Sequence, residues 1–193
     1  MNRILSVEEQ IQKLETAERL ANEASKSPDI DRRLGAFLIY AGIMDFMTIQ
    51  AARLMEQIIL KGQLAEGKKP TFQPRPDTYF YDHRIRTGFI LKGIRKLLPF
   101  TSPEPSQAGE AKRINDLAKR MIDDGFKFLN YRNPIIHDIG NPTKTFEDVI
   151  ALCDQANAAF HKFREAHTAF LKAAGPYRFG EKELEYFYGK GDQ

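Results

Sequence analysis

Residues 110–131 read EAKRINDLAKRMIDDGFKFLNY, and their apolar members are spaced as one face of a helix. Ile114, Leu117, Ala118, Met121, Ile122, Gly125 and Leu129 recur at i, i+3, i+4 and i+7, while the charges fall on the other side. The same period continues in both directions. Ser6 and Glu9 have capping-box spacing and open a first helix that runs to about Ala24, with Val7, Ile11, Leu14 and Leu20 along one stripe. Ser27-Pro28-Asp29 interrupts the chain, and a second, long helix follows over about Ile30 to Lys61. A third is predicted from about Thr78 to Leu98, with Ile90, Ile94, Leu97 and Leu98 toward the core. The quoted fourth helix is followed by a segment containing Pro134, Gly140 and Pro142, then by a fifth helix that Gly175-Pro176 stops after about Ala174. Residues 62–77 and 99–109, rich in Pro and Gly, read as loops. No run alternates as a strand does. The expectation is an all-α, up-and-down bundle of about five helices over residues 1–175, with an aromatic-rich tail over 176–193 that carries one short helix near Glu181–Tyr188.

Composition narrows the function. With 42% hydrophobic and 28% charged residues in a chain of 193, the protein has the material for a core and is neither disordered nor fibrous. The single cysteine, Cys153, excludes an internal disulfide, and no Cys/His cluster has zinc spacing. Neither GxGxxG nor GxxxxGK[ST] occurs, and neither GxSxG nor HExxH. No metal or cofactor is therefore expected. The longest unbroken apolar run, Ala36 to Met44, ends at Asp45 and is too short to span a bilayer, and the N-terminus does not read as a signal peptide. A cytoplasmic protein without membrane partners is the expectation. A net charge of +3 permits an anionic partner.

The segment that carries chemistry is Tyr131-Arg132-Asn133-Pro134-Ile135-Ile136-His137-Asp138. Pro134 biases Asn133 away from helical dihedrals, so the fourth helix is expected to end near Arg132. Asn133 then serves as N-cap, and Pro134 as first residue, of a new turn. In that geometry Arg132 and His137 point into one cleft. The three side chains suit a phosphodiester. A guanidinium neutralises phosphate oxygens, an amide orients, and an imidazole moves protons near neutral pH. The plainer alternative is that Arg132 caps the carbonyls of the fourth helix, Asn133 caps the next turn, and His137 is merely packed.

At Arg132-Asn133-x3-His137 the chain resembles the HEPN superfamily, small helical bundles marked by R-x4-6-H, often with a polar residue after the arginine. The R-N-x3-H form is similar to that of RNA-cleaving HEPN domains in toxins and RNA-guided nucleases. The resemblance implies a metal-independent endoribonuclease, a component of a toxin or phage-defence system with an antitoxin or defence partner protein. It also implies a site assembled across a homodimer, with Arg132, Asn133 and His137 in the family's roles. HEPN toxins silenced by a partner nucleotidyltransferase carry a tyrosine two residues after the histidine; Ile139 occupies that place here. Chemistry reasoned from the residues agrees with the resemblance. RNA brings its own nucleophile, the 2′-hydroxyl. His137 can serve as base or acid, Arg132 can stabilise the phosphorane-like transition state, and a two-fold dimer supplies both an acid and a base from one sequence. A non-catalytic RNA- or nucleotide-binding bundle, or a regulatory helical protein, is the alternative.

Several further residues carry charge or aromatic surface. His83, Arg84, Arg86, Lys92, Arg95 and Lys96 follow one another with no acid between them and form a candidate RNA-binding stripe, or else a solvated basic face. His83, close to Tyr79, Phe80 and Tyr81, is a candidate for stacking a base or for core packing. Asp45 sits in the most apolar stretch and is expected either to orient Arg132 or His137, or to form an ordinary structural pair. Lys112, Arg113, Lys119, Arg120 and Lys127 are diluted by Asp116, Asp123 and Asp124 and are expected to pair along their helix. Glu15 and Arg19 are expected to form a surface pair, His161 and His167 to pack or face water, and Cys153 to be a small buried hydrophobe. The tail aromatics Tyr177, Phe179, Tyr186, Phe187 and Tyr188 are expected to dock on the bundle or on a second subunit.

Overall fold

A computed structural model describes residues 7–74, 86–100, 108–138 and 143–188. The described residues form six α-helices and no strand: α1 (Val7–Ser25), α2 (Ile30–Ala65), α3 (Thr87–Lys96), α4 (Ala108–Asp138), α5 (Phe146–Ala174) and α6 (Glu181–Tyr188), with a short 3-10 turn at Gly175–Tyr177 between the last two. The protein is an all-α bundle. Asp29 caps α2 by accepting from the Asp31 N–H, and Thr145 with Asp148 makes a reciprocal capping box at the start of α5. The expected Ser6 cap of α1 lies outside the described residues.

Three helices share the centre. Phe37 of α2 stacks on Phe128 of α4 (ring centroids 6.0 Å), Phe128 meets Phe160 of α5 edge-on (6.4 Å), and Tyr40 of α2 stacks on Phe160 (4.4 Å). All four rings are buried, which makes them the heaviest apolar contribution where the layers cross. The contacts also fix direction. Arg33 pairs with Asp154, Tyr40 meets Phe160, and the Met47 carbonyl lies by His167, so α2 and α5 run parallel. Phe128 against Phe160 and Arg120 against Glu165 make α4 antiparallel to α5. Thr87 beside Asp45, and Lys96 and Leu97 sharing a cleft with Ile59 and Gln63, make α3 parallel to α2. The alternation of directions expected of the bundle therefore fails once, between α2 and α3. The connection after Ala65 returns to the level of Asp45, about 30 Å back along α2.

Helix ends differ from expectation in two places. The third helix begins at Thr87 rather than near Thr78; Arg86, its N-cap, is extended. Tyr79, Phe80, Tyr81, His83 and Arg84 lie outside the described residues. The fourth helix continues without a break through Pro134 to Asp138. Ile135 explains this. It is seven residues beyond Phe128 on the same stripe and fully buried. Burying an isoleucine contributes about 1.5–3 kcal/mol. The helical bond that Pro134 cannot donate to the Asn130 carbonyl is worth about 0.5–1.5 kcal/mol, and Asn130 is exposed to water. Packing outweighs the local preference of the residue before proline.

Close approach of α3 depends on Gly125. A Cβ there would lie 2.9 Å from Leu91 and 3.3 Å from Met44. The tail packs on the bundle: Phe179 is buried against Phe187, its N–H donates to Gln57, and Tyr177 meets Phe100. By length and composition α2 is apolar enough to cross a membrane, its best 18-residue stretch having a mean hydropathy of 1.4. That stretch exceeds the unbroken run Ala36–Met44 because Asp45 interrupts the run without ending the apolar character. Half of it is buried inside the bundle.

Candidate functional site

Continuity of α4 through Pro134 sets the geometry of the motif. Arg132 and Asn133 do not end one helix and begin another, so neither caps anything there, and Asn133 is exposed rather than an N-cap. His137 is exposed as well, not packed. Arg132 is half-buried, and Ile135 between them is the one member of the segment sunk fully into the core. Among the described residues, the side chains of Arg132, Asn133 and His137 make no hydrogen bond or ion pair.

The expected convergence of Arg132 and His137 in a cleft between two helices is not what the fold produces. On one continuous helix, residues five apart are separated by about 140° around the axis. Asn133 and His137, four apart, share a face, and Arg132 shares its own with Ile136. Arg132 and His137 thus flank a ridge formed by Asn133 and Ile136. A phosphate resting on that ridge is met by the guanidinium from one side and the imidazole from the other. Ile136, within the motif, is 50% exposed, and Phe146 at the start of α5 is 60% exposed, so apolar side chains open to solvent lie in the motif and at the start of the helix that follows it. Ile139 lies outside the described residues.

Asp45 belongs elsewhere. Its carboxylate accepts a hydrogen bond from the Thr87 hydroxyl at the start of α3. Met44, its neighbour, packs at Gly125, seven residues and about 10 Å along α4 before Arg132. Asp45 is a structural partner that holds α3 to α2. Neither Arg132 nor His137 makes a hydrogen bond or ion pair with it, so among the described residues its partner is Thr87.

The basic stripe divides. Arg86, Lys92 and Lys96 are exposed, with no partner among the described residues. Arg95 is already engaged: it pairs with Asp123 of α4, and its guanidinium sits 4.9 Å from the Phe126 ring centroid. The sequence showed no acid within the stripe itself, but the acid comes from the adjacent helix. On α4 the expected pairing is made by two of the five bases, with Asp124 receiving Lys127 at 2.9 Å and Arg120 at 3.8 Å; Lys112, Arg113 and Lys119 pair with nothing among the described residues, and Asp123 turns to α3 instead. The Lys127 ammonium is held above its ordinary range by the hydrogen bond to Asp124. On α1, Arg19 pairs with Glu23 at 3.0 Å and not with Glu15, since Glu23 offers the same i,i+4 spacing one turn later. Cys153 is buried, and burial pushes its thiol up to about 11.

What sequence reasoning passed over is the position of Asn130 on the motif's face of α4. Asn130 is exposed and unpartnered among the described residues, and it lies three residues before Asn133 and seven before His137. The signal was available in the spacing, but the presumed break at Pro134 hid it. No family model matches the chain, and neither a curated protein nor a solved structure shows significant similarity to it.

Proposed function

We propose that this chain is a metal-independent endoribonuclease of the HEPN kind, acting as a homodimer in a toxin or phage-defence setting with a partner protein. The observation that carries the reading is the lack of structural employment of its polar motif. Arg132 and Asn133 cap no helix end, and His137 is open to solvent on a helix whose neighbouring Ile135 does the packing. The capping alternative required a helix end at Arg132, and α4 has none.

In the proposed reaction one imidazole takes the proton of the ribose 2′-hydroxyl, whose oxygen attacks the adjacent phosphorus. The bond from phosphorus to the 5′-oxygen breaks, and that oxygen takes a proton from a second imidazole. The products are a 2′,3′-cyclic phosphate and a 5′-hydroxyl. Arg132 meets the charge that grows on the non-bridging oxygens, and Asn133, between Arg132 and His137 on the ridge, orients the phosphate. Each chain supplies one His137. A two-fold pair of α4 ends supplies the acid and the base, and Ile136 and Phe146 are the apolar surface that such a pair would bury.

The test is cleavage of labelled RNA in excess EDTA, with analysis of the product ends. His137→Ala is expected to abolish cleavage and keep binding. Arg132→Ala is expected to weaken both, and Arg132→Lys to restore neither fully, since an ammonium cannot make the two-pronged contact. Asn133→Ala should slow cleavage without loss of stability, because Asn133 is not a cap. Cutting of a substrate with a 2′-deoxy sugar at the scissile position, or a His137→Ala variant as active as the parent, would end the ribonuclease reading. Tight RNA binding without cleavage by the parent would leave the non-catalytic RNA-binding alternative.

A further inference from the structure

The charge pattern of α4 changes along its length. Toward α5, acids and bases face one another in pairs: Arg120 with Asp124 and Glu165, and Lys127 with Asp124. From Gly125 to His137, by contrast, the sequence has no acidic residue, and α3 from Thr87 to Lys96 has none either. These two acid-free segments are neighbours. Gly88 of α3 faces Leu129 and Leu91 faces Gly125, so α3 borders α4 along this length.

Because α4 is continuous, Phe126, Asn130, Asn133 and His137 follow one another at steps of four, three and four residues. They fall within a sector of about 60° and extend about 16 Å along the helix. Asn130, Asn133 and His137 are exposed, Phe126 is half-buried, and the three polar ones have no partner among the described residues. Lys92 of α3 is exposed, next in sequence to Leu91, which faces Gly125, and three residues before Arg95. At the far end of the stripe Asp123 fixes the Arg95 guanidinium over the Phe126 ring, and the Arg95 side chain remains 53% exposed. A guanidinium plane held over an aromatic ring is a surface on which an unpaired base stacks.

We propose that the α4 stripe from His137 to Phe126, with Lys92 and Arg95 of α3 beside it, seats a single-stranded RNA segment that continues from the scissile phosphate. This rests on the ribonuclease reading of Arg132, Asn133 and His137. Lys92, which pairs with no acid among the described residues, is the contact that attracts a phosphate, while the charge of Arg95 is already met by Asp123. The asparagine amides, each able to donate and accept, satisfy base edges that are free only when the strand is unpaired. The Arg95–Phe126 platform holds the base at the end of the run. A duplex offers neither free edges nor an unstacked base, so the surface discriminates against it.

The experiment uses the full chain and a labelled 2′-O-methyl oligonucleotide, which lacks the nucleophile and cannot be cut. Affinity is read by fluorescence anisotropy over a range of salt. The single strand is expected to bind at least about tenfold more tightly than the same sequence in a duplex. Lys92→Glu should weaken binding about tenfold and flatten the salt dependence. Asn130→Ala should weaken it roughly threefold with the salt slope unchanged. Lys162→Glu, on α5 beside the charge-paired side of α4, should stay within about twofold of the parent and controls for net charge. Equal or tighter binding of the duplex overturns the proposal. So does an equal effect of Lys92→Glu and Lys162→Glu. If the parent cleaves RNA while Lys92→Glu and Asn130→Ala bind as it does, the path is wrong and the ribonuclease stands. If the parent neither binds nor cleaves RNA, both fall.

Discussion

His167 lies in the α5 core at 2% exposure, and neither of its ring nitrogens makes a hydrogen bond. Burial lowers its pKa to about 4, and the Arg164 charge acts in the same direction. The Met47 carbonyl opposes them, at a geometry short of a hydrogen bond. In the unfolded chain the ring takes up its proton near pH 6.5, and in the folded one only near 4. The unfolded state therefore binds more protons between these values. The titration of His167 adds no cost above pH 6.5, where only the two unpaired ring nitrogens weigh against burial, and progressively more as pH falls toward 4, in total about 3 kcal/mol. His167→Leu is expected to flatten the acid limb. Urea midpoints of parent and variant should differ far more at pH 4.5 than at pH 7.5, in favour of the variant at the lower pH. A difference that is the same at both pH values would show that the ring is already solvated. The sequence could place His167 on the buried stripe of its helix, but not its isolation, because the donors and acceptors near a ring come from other helices.

At the scale of an element, Pro134 is the informative position. A proline inside a helix costs about 3 kcal/mol relative to alanine, whereas at the first position of a helix it is favourable. It lies four residues before the end of α4, so only the last turn carries the cost. Pro134→Ala adds an N–H that can bond the Asn130 carbonyl, and is expected to stabilise the protein by about 1 kcal/mol. A rise in the urea midpoint with unchanged slope is the readout. A loss of stability would mean that Pro134 opens a new turn after all. The residue before proline prefers extended dihedrals, and that local rule led the reading of residues 131–138 to a break. Ile135 overrode it. Its place on the stripe of Ile114, Met121 and Phe128 was visible in the sequence, but its burial depends on α2 and α5 being there to receive it. The start of α3 at Thr87 has the same character: the Thr87 hydroxyl bonds Asp45 of another helix, a contact no local pattern announces.

At the scale of the whole molecule, the apolar surface at the motif end of the bundle bears on assembly. Ile136 and Phe146 are half or more exposed, and the side chains of Asn133 and His137, on the same helix as Ile136, are without partners among the described residues. If the site is completed by a second copy, light scattering at micromolar concentration should give the mass of a dimer. Ile136→Glu should shift it toward the monomer and lower cleavage at least about tenfold, with the helical circular-dichroism spectrum unchanged, since a charge in that interface has no partner. A parent that remains strictly monomeric removes the composite site. The helices, their approximate ends, the core stripes and the rare R-N-x3-H pattern were legible from residues 1–193 alone, because 3.6-residue periodicity, caps and breakers are properties of neighbours along the chain. The course of α4 through Pro134, the parallel run of α2 and α3, the capture of Arg95 by Asp123 and the pairing of Asp45 with Thr87 were not. Each is settled by which side chains meet across helices, where burial of one isoleucine or pairing of one carboxylate outweighs a local preference of about a kilocalorie.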